Sequence, residues 1–287
     1  MKKQLFLKNF RNTCRVFFGR GLVIKIAFGV ILAFIVLAIL APLFCQDPLK
    51  QDLTRRFTMP TSENILGTDS FGRDIFSRLV YGTRVSLLAS LASGAFAAVI
   101  GIGLGLIAGY FEKVVGSVIM RLVDAQLSIP PLIFSMIICA ILGSGIWQTV
   151  FAIGVGLIPT YVRMIHGMVL TLKGNDYITA TALIGQKSPM ILIKHLLPNC
   201  FPSIIVLFTM NLGNAILSEA GLSFVGLGIV SPDISWGSMV SEGYPYLAKI
   251  PLLAIIPGIC ITLVVIALNF LGDGLRDALD PRLRGKL

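Results

Sequence analysis

Apolar runs of membrane length alternate with short polar segments along the chain. Leu22–Phe44 is the first run, with Lys25 near its start able to reach a membrane surface. Residues 85–111 form a second, uncharged run, and 127–142, 146–162, 201–217 and 250–271 form four more. A helix needs about 20 residues to cross about 30 Å of hydrocarbon. The pattern therefore predicts an all-α integral membrane protein with six spans. Prolines predict kinks in three of them, at Pro130–Pro131, Pro159 and Pro257. In the second span Ala97, Gly101, Gly105 and Gly109 recur every fourth residue, a small-residue stripe that lets another helix approach closely. The run from Gly103 also reads GxGxxA, but it follows no strand and lies inside a membrane segment, which excludes a dinucleotide loop.

The polar segment 172–199 has helical signals of its own. Gly174 breaks the preceding helix, and Asn175 or Asp176 can cap the next. Tyr177, Ala180, Thr181 and Ile184 fall at helical spacing, and Gly185 is a C-terminal stop. Ser188 then reads as a second cap, Pro189 as a first helical residue, and Pro198 as the limit of that helix. The prediction is a rigid helix–turn–helix elbow, a shape that can transmit force between spans. It resembles the cytoplasmic coupling loop of ABC-transporter permeases, whose pattern runs Glu-Ala-Ala, three residues, Gly, nine residues, an apolar residue, one more, then Leu-Pro. Thr179, Ala180 and Thr181 take the first three places here; Gly185, Leu197 and Pro198 match, and His195 replaces the apolar residue. The resemblance implies that Tyr177, Thr179, Ala180, Thr181, Gly185, Ser188 and Pro189 contact an ATPase subunit.

A second polar segment, 46–84, reads as an extracytoplasmic loop. It contains ILGTDSFGRDIFSRLVYGTRVSL, which resembles the signature of the second membrane subunit of dipeptide, oligopeptide and nickel importers. Gly67, Thr68, Asp69, Gly72, Arg73, Asp74 and Arg78 carry the match. Thr68 or Asp69 can cap a turn that Gly72 permits, and Arg73, Asp74 and Arg78 can form an interfacial ion network. A loop folded on the membrane surface and direct contact with substrate both remain open. The return at 218–249 also resembles the family through Leu222-Ser223-Phe224, Gly226-Leu227-Gly228, Pro232 and Trp236-Gly237, and 272–287 resembles its ending. Asn211 and Asn214 share one face of the fifth span, as interhelical glue or as pathway lining.

Composition sharpens this picture. The 287 residues are 55% apolar and 13% charged, about half the charge of a soluble domain. Net charge is +10, and its distribution excludes most of the case for nucleic acid. With the N-terminus inside, the inside segments carry 17 basic and 6 acidic residues, and the outside ones 7 and 8. Residues 1–21 hold six basic residues and no acid among Leu and Phe, suiting an amphipathic segment on an anionic leaflet. The first run is too long for a signal peptide's apolar region, and Phe44 is too large to precede a lipoprotein Cys45, so an uncleaved span is expected. Five scattered cysteines, without metal-ligand spacing, read as free thiols rather than a metal site.

There is no GxxxxGK[ST] loop and no catalytic constellation, so no cofactor is expected on this chain. Arg121 and Asp124 are spaced to pair on one helix face. The resemblance implies a six-span type I ABC importer domain at 85–271, with both termini cytoplasmic in a bacterial inner membrane. It also implies a companion permease, two ATP-binding subunits carrying ATP and Mg, and an extracytoplasmic solute-binding protein. Peptide import and nickel or metallophore import both fit the motifs; a stand-alone secondary transporter is a further alternative.

Overall fold

The computed structural model describes Phe17 and residues 21–279; the basic segment 1–21 and the end of the tail fall almost wholly outside it. The described residues are helical apart from turns and one isolated bridge, Thr68 to Asp74. Helix α1 is Leu22–Phe44, as its apolar run predicts. Helix α2 runs Ile75–Tyr110, starting ten residues before the expected span. The reason is local: Asp74 caps it, its carboxylate accepting from Ser77 N at 2.7 Å. Arg78 and Arg84 are tolerated within it because both find partners.

The third span is broken. A π-helical turn at Glu112–Gly116 leads into α3, Ser117–Leu127, and α4 is Pro131–Leu142. The two meet at 89°. Pro131 has no N–H to continue α3, so it opens a new helix instead. Among the described residues, five helices are long and apolar enough to cross a membrane, or six with this bent pair as one span. Helix α5, Ile146–Lys173, carries Pro159 without ending.

Helix α6, Asp176–Leu183, and α7, Ser188–Ile191, form the elbow. Two expectations fail here. Ser188 is not a cap; Lys187 holds that position, without a side-chain hydrogen bond. Nor does Pro198 stop the helix. A π turn at Leu192–Leu196 passes directly into α8, Leu197–Phe224. The wider turn accommodates a ring that lacks an N–H and crowds the carbonyl four residues back. Helix α8 outruns its predicted span and takes in Glu219, which the sequence places in the return. A short helix α9, Trp236–Gly243, lies in that return, opened by a capping box of Ser235 and Ser238. Helix α10, Leu252–Leu279, absorbs the first residues of the tail.

The small-residue stripe is the seam between α2 and α5. A Cβ on Gly101, Gly105 or Gly109 would lie 2.5, 2.7 and 2.6 Å from the Cβ atoms of Tyr161, Ile165 and Val169. The main apolar core, with Ala97, Ile153, Tyr161, Ala215 and Leu222, sits at the α2–α5–α8 junction. The outer faces of α1 and α10 expose Leu, Ile and Phe, as lipid contact requires.

Candidate functional site: an elbow at one end, an ion cluster at the other

The elbow is anchored at its base and bare at its tip. Ile178 and Ile191, each about 2% exposed or less, pack with Ile165, Val169, Leu196 and Cys200. Leu183 and Ile184 at the turn are 83% and 81% exposed. Gly185 has φ +81°, a backbone that side-chain-bearing residues rarely adopt, and nothing crowds the place where a Cβ would sit. The turn closes through Gln186 N donating to Thr181 O at 3.2 Å. His195 lies 3.1 Å from Gln186 Oε1, so a residue that departs from the family pattern braces the joint. Asn199 Nδ2 donates to Tyr177 Oη at 3.2 Å and to His195 O at 2.6 Å. Tyr177, Thr179, Ala180 and Pro189 face outward, and Thr181 and Ser188 are half-buried.

Two ion pairs tie the spans beside the elbow. Lys173 Nζ reaches Glu112 Oε1 at 2.8 Å and Tyr110 O at 3.0 Å, joining the ends of α5 and α2. The lysine's hydrogen bond holds the Glu112 carboxyl below its ordinary value. Arg163 pairs with Asp124, so the expected Arg121–Asp124 pair within α3 gives way to one between helices. Helix α3 is held to α5 by that choice.

At the other end of the spans the signature residues converge. Asp69 accepts from Arg73 Nε at 2.6 Å, Arg78 Nη1 at 2.5 Å, and the backbone N–H groups of Phe71 and Arg73. Arg73 Nη2 and Arg78 Nη1 also donate to Glu242 Oε2 on α9, at 2.5 and 2.8 Å. Asp69, Arg73 and Arg78 are buried, and the Glu242 side chain is 31% exposed. Thr68 Oγ1 accepts from Thr58 N at 2.9 Å and donates to Arg55 O. Gly67 and Gly72 both have positive φ, and a Cβ on Gly72 would sit 1.8 Å from Asp52 O. Burial and mutual pairing make this signature a structural clamp; within this chain its side chains face one another. Asp74 caps α2 instead of joining the ion network.

Asn211 and Asn214 do meet, Nδ2 of Asn214 donating to Oδ1 of Asn211 at 3.3 Å. Asn211 is buried against the core beside Tyr161, the place of glue, and Asn214 is exposed. Two acids escaped sequence reasoning. Glu219 is fully buried and accepts from Ser86 Oγ at 3.1 Å and Ser223 Oγ at 2.8 Å. Glu242 meets residues some 165 positions away, a contact that no local spacing announces. Among the described residues no group of three His, Cys, Asp or Glu is placed to hold a metal. Cys139, Cys200 and Cys260 are buried free thiols.

Residues 101–285 match the family of binding-protein-dependent transport system inner membrane components. The chain belongs to that family. This transport component is 43% identical over 225 residues to the glutathione transport system permease protein GsiD of Pectobacterium atrosepticum, covering 78% of this chain and 75% of that one. It is 39% identical over 264 residues to the di/tripeptide transport system permease protein DppC of Pseudomonas aeruginosa, covering 88% and 87%. Against the dipeptide transport system permease protein DppC of Alkalihalophilus pseudofirmus it is 38% identical over 256 residues, covering 89% and 84%. Its fold matches a chain of the inward-facing MetNI methionine ABC transporter, with a TM-score of 0.59 at 22% identity over 72% of this chain and 98% of that one. The inner membrane component is thus a type I permease subunit of an ABC importer.

Proposed function

We propose that this permease subunit carries di- or oligopeptides across a bacterial inner membrane, with its elbow seated on a separate ATP-binding subunit. The bare apolar tip carries this reading: Leu183 and Ile184 are exposed on a joint whose base is fixed by Ile178 and Ile191. Such a tip has reason to exist where a partner's groove covers it. The chemistry of that groove follows from the elbow. It is apolar for Leu183 and Ile184, and acidic at its rim, because exposed Lys187 and Lys194 face outward with only Asp176 of opposite charge on the elbow.

In the working cycle two ATP-binding subunits hold ATP and Mg and close on each other. Tyr177, Thr179, Ala180, Thr181, Gly185, Ser188 and Pro189 follow the groove. The motion passes through the bonded joint into α5 and α8, and the spans open toward an extracytoplasmic solute-binding protein. A companion permease completes the pathway, which Asn214 lines. Both termini and the elbow lie in the cytoplasm, where the basic segments gather. Peptide rather than nickel or metallophore is favoured by the printed substrates of the relatives, all peptides or glutathione.

The test is Gly185→Val in the full complex. Position 185 has room for the side chain but not the backbone freedom, so the joint deforms while the spans pack unchanged. Substrate-stimulated ATP hydrolysis should vanish from an assembled complex; normal stimulation refutes the coupling role. Uptake of labelled dipeptide by cells carrying the wild-type chain tests the cargo, and uptake of nickel alone refutes it.

A further inference from the structure

The return segment between α8 and α10 is held by two carboxylates of unlike character. Glu219 holds its start. Ser86 Oγ accepts from Trp236 N at 3.1 Å and Ser223 Oγ accepts from Ile229 N at 2.9 Å, so both hydroxyl protons are directed to Glu219. That site is sealed, with Glu219, Ser223 and Trp236 at 2% exposure or less. Glu242 holds its end, and this hold is open. One oxygen, Oε2, receives both arginines, and the side chain is 31% exposed. The arginines do not depend on it, because Asp69 grips both from a buried position.

Packing holds the two ends of α9 differently: its start is tied to α2 by Trp236 Nε1 donating to Leu79 O at 3.1 Å, and Met239 shares a buried apolar cluster with Ile75. Helix α9 is pressed onto the neighbouring spans: a Cβ on Gly237 would meet Ala220 Cα at 2.6 Å, and one on Gly243 would meet Leu253 C at 2.7 Å. Its end at Gly243 rests on α10, and Glu242 is the ion-pair tie from that end to the arginines. The arginines belong to the loop before α2 and to the start of α2. Beside the cluster, a void of about 10 Å³ has Asp69, Ser70, Arg78 and Glu242 along one half of its lining and apolar residues and Gly243 along the other, and Arg78 Nε has no partner. About one water fits such a space. The contact is short, at 2.5 and 2.8 Å, yet open to solvent on the Glu242 side.

We propose that Glu242 is a releasable latch on Arg73 and Arg78, holding α9 against the loop before α2 until the partner subunits bind ATP. When it lets go, Asp69 keeps the arginines paired, and α9 tilts about the Glu219 site as the outer mouth opens. The latch raises the barrier to opening without a loaded binding protein and so suppresses idle hydrolysis. This rests on the transport reading above and on the outward placement of α9.

Two measurements on the complete complex in nanodiscs test it. Glu242→Gln keeps shape and removes charge. It should raise ATP hydrolysis without binding protein several-fold and lower the ratio of stimulated to basal rate; Glu63→Gln, on an exposed pair elsewhere in the same loop, should change neither. A merely structural role would lower both rates together. Unchanged rates in Glu242→Gln, or a fall in both, overturn the latch. The second measurement leaves the latch intact: a spin label at Tyr244→Cys, beside α9, should become more mobile when ATP is trapped with vanadate. Identical spectra overturn the proposal. If the wild-type complex itself shows no stimulation by binding protein, it is the transport reading that fails.

Discussion

Arg84 shows how one charged residue earns a place in a membrane helix. Pro42 sits inside α1 and has no N–H, so the carbonyl four residues back, Ala38 O, loses its helical donor. Arg84 Nε donates to that carbonyl, and Nη2 donates to Ile39 O at 3.2 Å. The guanidinium also lies 5.2 Å from the centre of the Tyr81 ring. Replacing Arg84 by Met leaves a carbonyl unpaired beside lipid, at a cost of about 1–3 kcal/mol. The thermal midpoint of the purified complex should fall, and Pro42→Ala in the Arg84→Met background should recover much of the loss by restoring an N–H. Simple additivity of the two changes would show that the arginine does not serve this carbonyl. Glu219 poses the same problem in its sharper form. Glu219→Leu strands the hydroxyls of Ser86 and Ser223 where no water reaches, while Glu219→Gln still accepts one bond. Leu should therefore be the worse substitution in a stability assay, though it is the more apolar residue.

At the scale of elements, glycines and a joint do the work. The α2–α5 seam leaves no room for a methyl group at Gly105, where a Cβ would lie 2.9 Å from Val162 O, a backbone atom that cannot swing aside. Gly105→Ala should cost about 1–3 kcal/mol by overpacking, read as a lower thermal midpoint; Gly103→Ala, with open space around it, should be silent. The stripe was legible in the sequence because small residues at every fourth position mean little other than close approach. The elbow was legible for the same kind of reason, Gly185 being a stop that its positive φ bears out. What was hidden depended on the third dimension. Ser188 looks like a cap until Lys187 is found in that position, and Pro198 looks like a stop until the π turn carries the chain through it. The start of α2 was masked because Arg78 and Arg84 look too polar for a membrane helix until Asp69, Glu242 and the carbonyls of α1 are brought beside them. For the elbow itself, Ile184→Asp should weaken co-purification of the ATP-binding subunit, because the partner's apolar groove would then face a carboxylate. Ile178→Ala should instead loosen the base and lower stability without removing the docking surface.

For the molecule as a whole, the decisive quantity is the direction in which it sits in the membrane. Read with the N-terminus inside, the sequence assigns seventeen basic and six acidic residues to the elbow side and seven and eight to the other, before Glu219 is withdrawn into α8. Cytoplasmic segments hold such an excess of Lys and Arg. The two ends of the bundle differ in kind as well. On one side the ion pairs are exposed, as in Arg163–Asp124 and Lys173–Glu112, beside a bare apolar tip. On the other, beside the exposed Arg55–Glu63 pair, a buried cluster closes on itself at Asp69, Arg73 and Arg78. The first kind of surface suits docking of a partner; the second kind resists solvent. In a cysteine-depleted complex, Gln51→Cys in the loop before α2 should react with a membrane-impermeant maleimide in intact spheroplasts. Lys187→Cys at the elbow should react only after the membrane is opened. Both positions are exposed on this chain, and a control stripped of the ATP-binding subunits separates masking by the partner from masking by the membrane. The opposite pattern would put the elbow out of reach of any ATP-binding subunit, and would overturn the coupling role and the latch together.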